Sequence, residues 1–227
     1  MTLKTFETAT DLANASVDLI LQALKEKPTS LCCFAAGFTQ NETYEILATK
    51  LQNPQLKVIG LDEWEGLNGT SEGSCRHYMD TRMFTPLGIQ PLHYFDGKQP
   101  LAPQCAVADQ LLDEHGPIDI LILGVGMNGH LGFNEPGVNP QNRTHVQPLD
   151  ATTQQVGSKY FEGQAPPTAG ITLGLKDLLQ AKLILLQIVG EHKAPILQQL
   201  MAEGVDPNFP ASYLKDTNAY VFTDIVQ

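Results

Sequence analysis

Residues 118–136 read IDILILGVGMNGHLGFNEP, and the fold class follows from how this stretch is built. Its first eight residues are almost continuously apolar. Without an alternating polar face, such a run describes a strand covered on both sides, as in a parallel sheet flanked by helices. Three closely spaced glycines come next, Gly124, Gly126 and Gly129, then His130, then Asn134, Glu135 and Pro136. Ligands of open α/β sheets bind just beyond the carboxyl ends of such strands. The stretch therefore delivers a glycine turn and a titratable pair to the place where a site would be assembled.

Working outward, strands and helices alternate. Residues 3–6, 31–35, 56–61, 183–189 and 220–223 read as further strands, with a short extended piece at 169–173. Helical spacing of Leu12, Val17, Ile20, Leu21 and Leu24 predicts a helix over 10–27, capped by Thr10 or Asp11 and closed by Pro28. Other helices are expected over 40–51, 76–84, 104–114, 154–160, 175–181 and from 190 to about 201. Residues 137–153 read as an irregular stretch, longer than an ordinary connection and so a functional or mobile loop. No repeat or linker interrupts the alternation. The expected fold class is α/β: a single Rossmann-like doubly wound domain spanning 1–227, with a mostly parallel sheet and helices on both faces. Its strand ends carry Gly37 and Thr39, Asp62 and Glu63, Asn128 with His130 and Glu135, and His192 with Lys193. In a parallel sheet these share one edge.

Composition narrows the partners. A net charge of −11 argues against nucleic acid and anionic membrane surfaces, both of which need clustered Lys and Arg. The first residues show no charged head followed by an apolar core, and no stretch is long enough to span a bilayer, so a cytoplasmic protein is expected. The four cysteines lack CxxC or metal-ligand spacing and read as reduced thiols. No Asp/Glu/His spacing resembles a metal site, so neither a metal nor another cofactor is expected.

Residues 124–129 satisfy GxGxxG, with Asp150 about twenty residues on, where a ribose-binding acid is sought. A dinucleotide reading fails immediately downstream, because Gly132 and Pro136 break the helix that the last glycine should open. The glycines are better read as a turn that lets backbone amides face a ligand. His130 taken alone fits a buried structural histidine. Glu135 beside it fits a carboxylate that fixes an imidazole tautomer and raises its basicity, making a proton-transfer unit. Asp62 taken alone fits a turn cap, although the acidic pair with Glu63 before Trp64 is unusual for one. The turn at Gly37, Phe38 and Thr39, placed before a helix, suits a phosphate. Lys193, Lys159 and Arg143 are candidate cations, each of which also suits a solvated surface position. Together these parts point to acid–base chemistry on a small phosphorylated substrate.

The combination of LDEWEGL at 61–67, LGVGMNGHLGFNEPG at 123–137 and NRT at 142–144 closely resembles the glucosamine-6-phosphate deaminases, also called isomerases, over essentially the whole chain. The 6-phosphogluconolactonases, a sister family, share the glycine turn and histidine but differ where FNEPG stands. The resemblance implies conversion of an amino-hexose 6-phosphate and water into fructose 6-phosphate and ammonia. By the same resemblance Asp62 is the general base between C2 and C1, His130 the ring-opening catalyst, and Glu135 the carboxylate that orients it. Phosphate ligands then fall on Gly37, Phe38 and Thr39, on Lys159 and on Lys193, with Gly129 and Arg143 as further substrate contacts. Three departures stand out: Asn128 where many members have Asp, Phe38 in a turn that usually carries a small residue, and Lys159 where arginine is usual. Galactosamine 6-phosphate, a lactonase-like hydrolysis and a non-catalytic sugar-phosphate sensor are the alternatives. The longer relatives carry an extra C-terminal segment associated with hexamers, so a monomer or small homo-oligomer is expected.

Overall fold

The structure, a computed structural model, describes every residue except 53, 159, 160, 162–164, 166 and 227. The strands are β1 (Thr2–Thr5), β2 (Leu31–Phe34), β3 (Lys57–Val58), β4 (Asp62–Trp64), β5 (Ile120–Leu123), β6 (His145–Pro148), β7 (Ala169–Thr172), β8 (Leu183–Ile188) and β9 (Tyr220–Thr223). The α-helices are α1 (Ala9–Glu26), α2 (Asn41–Lys50), α3 (Cys75–Met79), α4 (Thr85–Leu87), α5 (Leu101–His115), α6 (Ala151–Gly157), α7 (Leu175–Leu178) and α8 (Ala194–Met201). A π-helical segment, Asp80–Phe84, joins α3 to α4, so the helix expected over 76–84 is longer and wider-wound than its sequence suggests.

Six strands form an all-parallel sheet in the order β1-β9-β8-β5-β2-β3. Period-two alternation sends the two faces of each buried strand into different cores. From β5, Leu121 and Leu123 enter a core built with α5, α7 and α8, while Ile120 and Ile122 meet α1, α2 and the π-helical segment. The chain runs outward from β2 to β3 but leaves β5 in the opposite direction, toward β8. The order therefore reverses between β2 and β5, and the carboxyl ends of those two strands bound the crevice.

Helix α1 buries Leu12, Val17, Ile20 and Leu24, as its spacing predicts. Its cap is Thr8, whose hydroxyl accepts the Asp11 amide at 3.1 Å, rather than Thr10 or Asp11. The third strand departs more from expectation. Only Lys57–Val58 joins the parallel sheet, and the chain turns out at Gly60, where a Cβ would lie 2.9 Å from the Tyr94 ring. Asp62–Trp64 then opens a second, antiparallel sheet in the order β4-β7-β6, with Asp62 opposite Thr172 and Trp64 opposite Gly170. Strand β6 lies inside the stretch expected to be irregular. A small cluster of Trp64, Cys75, Phe133, Leu149 and Phe161 fills the space beside this sheet. Among the described residues no helix is long and apolar enough to cross a membrane.

Candidate active site

A cavity of about 900 Å³ opens over the carboxyl ends of β2 and β5. Gly37, Phe38 and Thr39 line one side, Asp62 and Cys75 another, and Gly126 and His130 the floor. Gly190 to Lys193, after β8, contribute His192 and Lys193. Of the strand-end clusters expected to share one edge, Gly37 and Thr39, Asp62, His130, and His192 with Lys193 meet there.

His130 is held from behind. Its Nδ1 lies 2.7 Å from Asn128 Oδ1, 3.0 Å from Thr153 Oγ1 and 3.6 Å from Glu135 Oε2. The Asn128 amide in turn donates from Nδ2 to Glu135 Oε2 at 2.8 Å. Nδ1 thus faces oxygen acceptors and carries the proton, leaving Nε2 as the basic nitrogen. The orienting carboxylate expected at Glu135 is present, but its closest link to the imidazole passes through Asn128. Burial would raise the Glu135 carboxyl, yet hydrogen bonding and charge from His130, with help from Thr153 and Asn128, outweigh it and hold the group below the ordinary glutamate range. Backbone geometry places the ring: a Cβ on Gly126 would fall 2.2 Å from His130 Cε1, so only glycine leaves room. The following FNEP segment is pinned by Asn134, whose amide donates to Leu131 O at 2.8 Å and Leu173 O at 2.9 Å. Neither Asn128 nor Glu135 lines the cavity; both stand behind the histidine.

Asp62 faces the same cavity and is 7% exposed. Burial raises its carboxyl to about 7, a hydrogen bond from the Cys75 thiol opposing the shift and the Glu63 charge adding to it. Its Oδ1 is buried and without a partner among the described residues. Adjacent Glu63 does different work. Its carboxylate accepts the amides of Trp64 at 2.9 Å, Cys75 at 3.1 Å and Arg76 at 3.1 Å, and the Ser74 hydroxyl at 2.5 Å. Glu63 thus fastens the start of α3 to the strand that carries Asp62.

The expected substrate contacts divide. Gly37, Phe38 and Thr39 border the cavity, with the Gly37 carbonyl accepting the Tyr78 hydroxyl at 2.8 Å. Lys193 also borders it, its ammonium donating to the Val125 carbonyl. Gly129 does not: its amide donates to Gly126 O at 3.0 Å, its carbonyl accepts the Ala211 amide at 2.9 Å, and its φ of +84° serves the turn itself. Arg143 is also drawn elsewhere, to Asp113 at 3.0 Å and Asp177 at 3.3 Å, where it ties the segment before β6 to α5 and α7. Three carboxylates around it, counting Asp109, outcompete a distant substrate for the guanidinium. Lys159 lies outside the described residues. The cavity also takes Thr153 from α6 and His77 and Arg82 from the helix after Glu63. Sequence reading missed all three because each is brought in by helix packing, without a local motif. Among the described residues no cluster of His, Cys, Asp and Glu is arranged to hold a metal.

Comparison with known proteins adds a family to this geometry. The family model for glucosamine-6-phosphate isomerases and 6-phosphogluconolactonases matches residues 4–223. A glucosamine-6-phosphate deaminase from Bacillus pumilus strain SAFR-032 is 37% identical over 95% of this chain and 93% of its own length. A putative deaminase, AgaI, from Escherichia coli K12 is 36% identical over 94% of this chain and 87% of its own. Among solved structures, one described as a monomeric glucosamine-6-phosphate deaminase of the NagB superfamily superposes with a TM-score of 0.92 at 32% identity, covering 98% of this chain and 97% of its own. A 6-phosphogluconolactonase from Thermotoga maritima, 20% identical, shares the fold at a TM-score of 0.79 over 98% of both chains.

Proposed function

The chain belongs to the family of glucosamine-6-phosphate isomerases and 6-phosphogluconolactonases, and from that premise we propose that it converts glucosamine 6-phosphate and water into fructose 6-phosphate and ammonia. In this reading His130 Nε2 moves the proton that opens the sugar ring, its tautomer set by Asn128 and Glu135. Asp62 then takes the proton from C2 and returns it at C1. The resulting C2 iminium is hydrolysed by water, leaving the ketone and releasing ammonia. The phosphate is placed against the turn at Gly37 to Thr39 and Lys193, where the amides and the ammonium offer positive charge. Lys159 completes that group by resemblance. The activity comes from one domain, working as a monomer or small homo-oligomer in the cytoplasm; the solved relative described as monomeric supports the smaller assembly.

One observation carries the reading. A buried carboxylate raised to about 7, with an unpartnered oxygen, faces the same cavity as a tautomer-locked histidine. A cap or structural acid would have its oxygens satisfied; a base that must both take and return a carbon-bound proton needs a pKa near the working pH. Incubating the purified protein with glucosamine 6-phosphate and with galactosamine 6-phosphate, and measuring ammonia and ketose phosphate, tests it. Both products are expected from glucosamine 6-phosphate. Binding of the sugars without either product would reject catalysis in favour of a sensor.

A further inference from the structure

The hydrogen bonds around His130 run in one direction. Asn128 Nδ2 donates to Glu135 Oε2 at 2.8 Å, which turns its Oδ1 toward His130, where it accepts the backbone amide at 3.2 Å and lies 2.7 Å from Nδ1. An amide oxygen only accepts, so Nδ1 is the donor, and the lone pairs of Thr153 Oγ1 are open to it. They face His130 Nδ1 at 3.0 Å and Asn128 Nδ2 at 3.4 Å. Nδ1–H therefore sits in a fork between two neutral oxygens, Asn128 Oδ1 and Thr153 Oγ1, with the charged Glu135 third in distance at 3.6 Å.

The two arms of that fork come from different parts of the chain. Asn128 belongs to the glycine turn after β5 and moves with the histidine. Thr153 belongs to α6, twenty-three residues away, and is 4% exposed. The same helix presents Val156 and Gly157 to the cavity, and its cap Asp150 donates its amide to Glu135 Oε1 at 3.3 Å. The seating of α6 and the orientation of the imidazole are thus joined through one hydroxyl.

We propose that Thr153 is a positioning residue, which locks His130 in the Nδ1–H tautomer and makes ring opening depend on α6 being seated against the site. The catalytic half of this rests on the proposed deaminase reaction, whereas the structural half does not need that activity. With the hydroxyl absent, Nδ1 keeps a single close acceptor and the ring can tilt or exchange tautomers. Outer-shell partners of this kind are worth about ten- to a hundredfold in activity when removed, by analogy with those that orient metal-bound histidines.

The test compares Thr153→Val, which keeps the shape and loses the hydroxyl, with Thr153→Ser, which keeps the hydroxyl and loses a methyl. Imidazole nitrogen shifts of His130 are read by NMR without substrate, and kcat and KM are measured on glucosamine 6-phosphate and on an open-chain analogue. Thr153→Val is expected to mix the tautomers and lower kcat on the closed sugar by about tenfold or more, with KM and open-chain turnover near wild type. Thr153→Ser is expected to restore the single tautomer and most of the rate. A Thr153→Val protein with wild-type tautomer and rate overturns the proposal, as does a Thr153→Ser protein as impaired as Thr153→Val. Should the wild type turn over neither sugar, the functional reading fails while the nitrogen shifts still decide the tautomer lock.

Discussion

Asp62 is buried beside the Cys75 thiol, and burial raises its carboxyl to about 7. The folded protein therefore keeps a proton that the unfolded chain releases near the ordinary aspartate pKa of about 4. Between those values the folded state binds more protons, so this group's contribution to stability falls as pH rises, and above about 7 it stands as a cost. Two outcomes are expected. The rate of wild-type enzyme should fall below about pH 7 as the base is protonated; a profile flat from about pH 5.5 to 8.5 would exclude Asp62 from that role. Asp62→Asn should lose about a hundredfold or more in kcat while keeping substrate affinity. In urea melts it should also be more stable than wild type at pH 8 and no more stable at pH 4. At the neighbouring hub, Asn128→Asp would set a carboxylate where the amide now donates to Glu135 at 2.8 Å. Two such carboxylates do not both ionise freely, and the donor that now reaches Glu135 at 2.8 Å is lost. The nitrogen shifts of the His130 ring should differ from those of the wild type, and unchanged shifts would contradict this arrangement of Asn128, Glu135 and the imidazole.

At the scale of elements the site depends on turns that tolerate no side chain. Gly126→Ala would bring a methyl to 2.2 Å from the His130 ring, which must swing away from Asn128 and Thr153. Activity should drop by about a hundredfold with the melting temperature little changed, measured by turnover and circular dichroism; full activity would show that the ring is free to move. The same glycine turn shows what the sequence made legible. Strands β2, β5, β8 and β9 announced themselves because burial on both faces leaves nearly continuous apolar runs, interrupted only by Gln187 and Thr223, and their shared edge followed from the parallel arrangement. Of the antiparallel sheet only β7 was legible, as the short extended piece at 169–173. Strand β4 is the three residues Asp62–Trp64, whose acids are buried for tertiary reasons, and β6 is half exposed and ends in proline. Asp62, His130 and Glu135 were readable from polar residues clustered at strand ends. Thr153 was not, since a threonine inside a short helix has no local signature of its partner. Arg143 misled for the complementary reason: sequence shows the cation beside a functional segment but not the three carboxylates, two of them on α5, that occupy it.

Across the whole molecule the two edges of the parallel sheet treat buried aspartates in opposite ways. Asp119 immediately precedes β5 at the amino edge, 6% exposed, and accepts Lys27 Nζ at 2.5 Å, Lys182 Nζ at 2.8 Å and the Leu31 amide at 2.8 Å. Burial alone would raise its carboxyl; hydrogen bonds from Lys182, Lys27 and Leu31 outweigh that and hold it below the ordinary aspartate range. A depressed folded-state pKa stabilises above the unfolded value and loses that contribution as pH falls through the acid range, the reverse of Asp62. Both lysines are about half exposed, so solvent and salt screen the pairs and leave a modest net term. Asp119→Asn should therefore cost about 1–2 kcal/mol in urea melts at pH 7, mostly through weakened hydrogen bonds to charged donors, and progressively less toward pH 3. Because the cluster holds the starts of β2, β5 and β8 together at the edge away from the cavity, kcat and KM should stay within about twofold of wild type. Equal stability of variant and wild type at pH 7 would contradict the stabilising role. A parallel fall in kcat/KM would show instead that the amino edge sets the geometry of the turns at the far ends of the same strands. With both variants in hand, raising the pH should favour Asp62→Asn and penalise Asp119→Asn, separating the carboxylate kept for chemistry from the one that fastens the sheet.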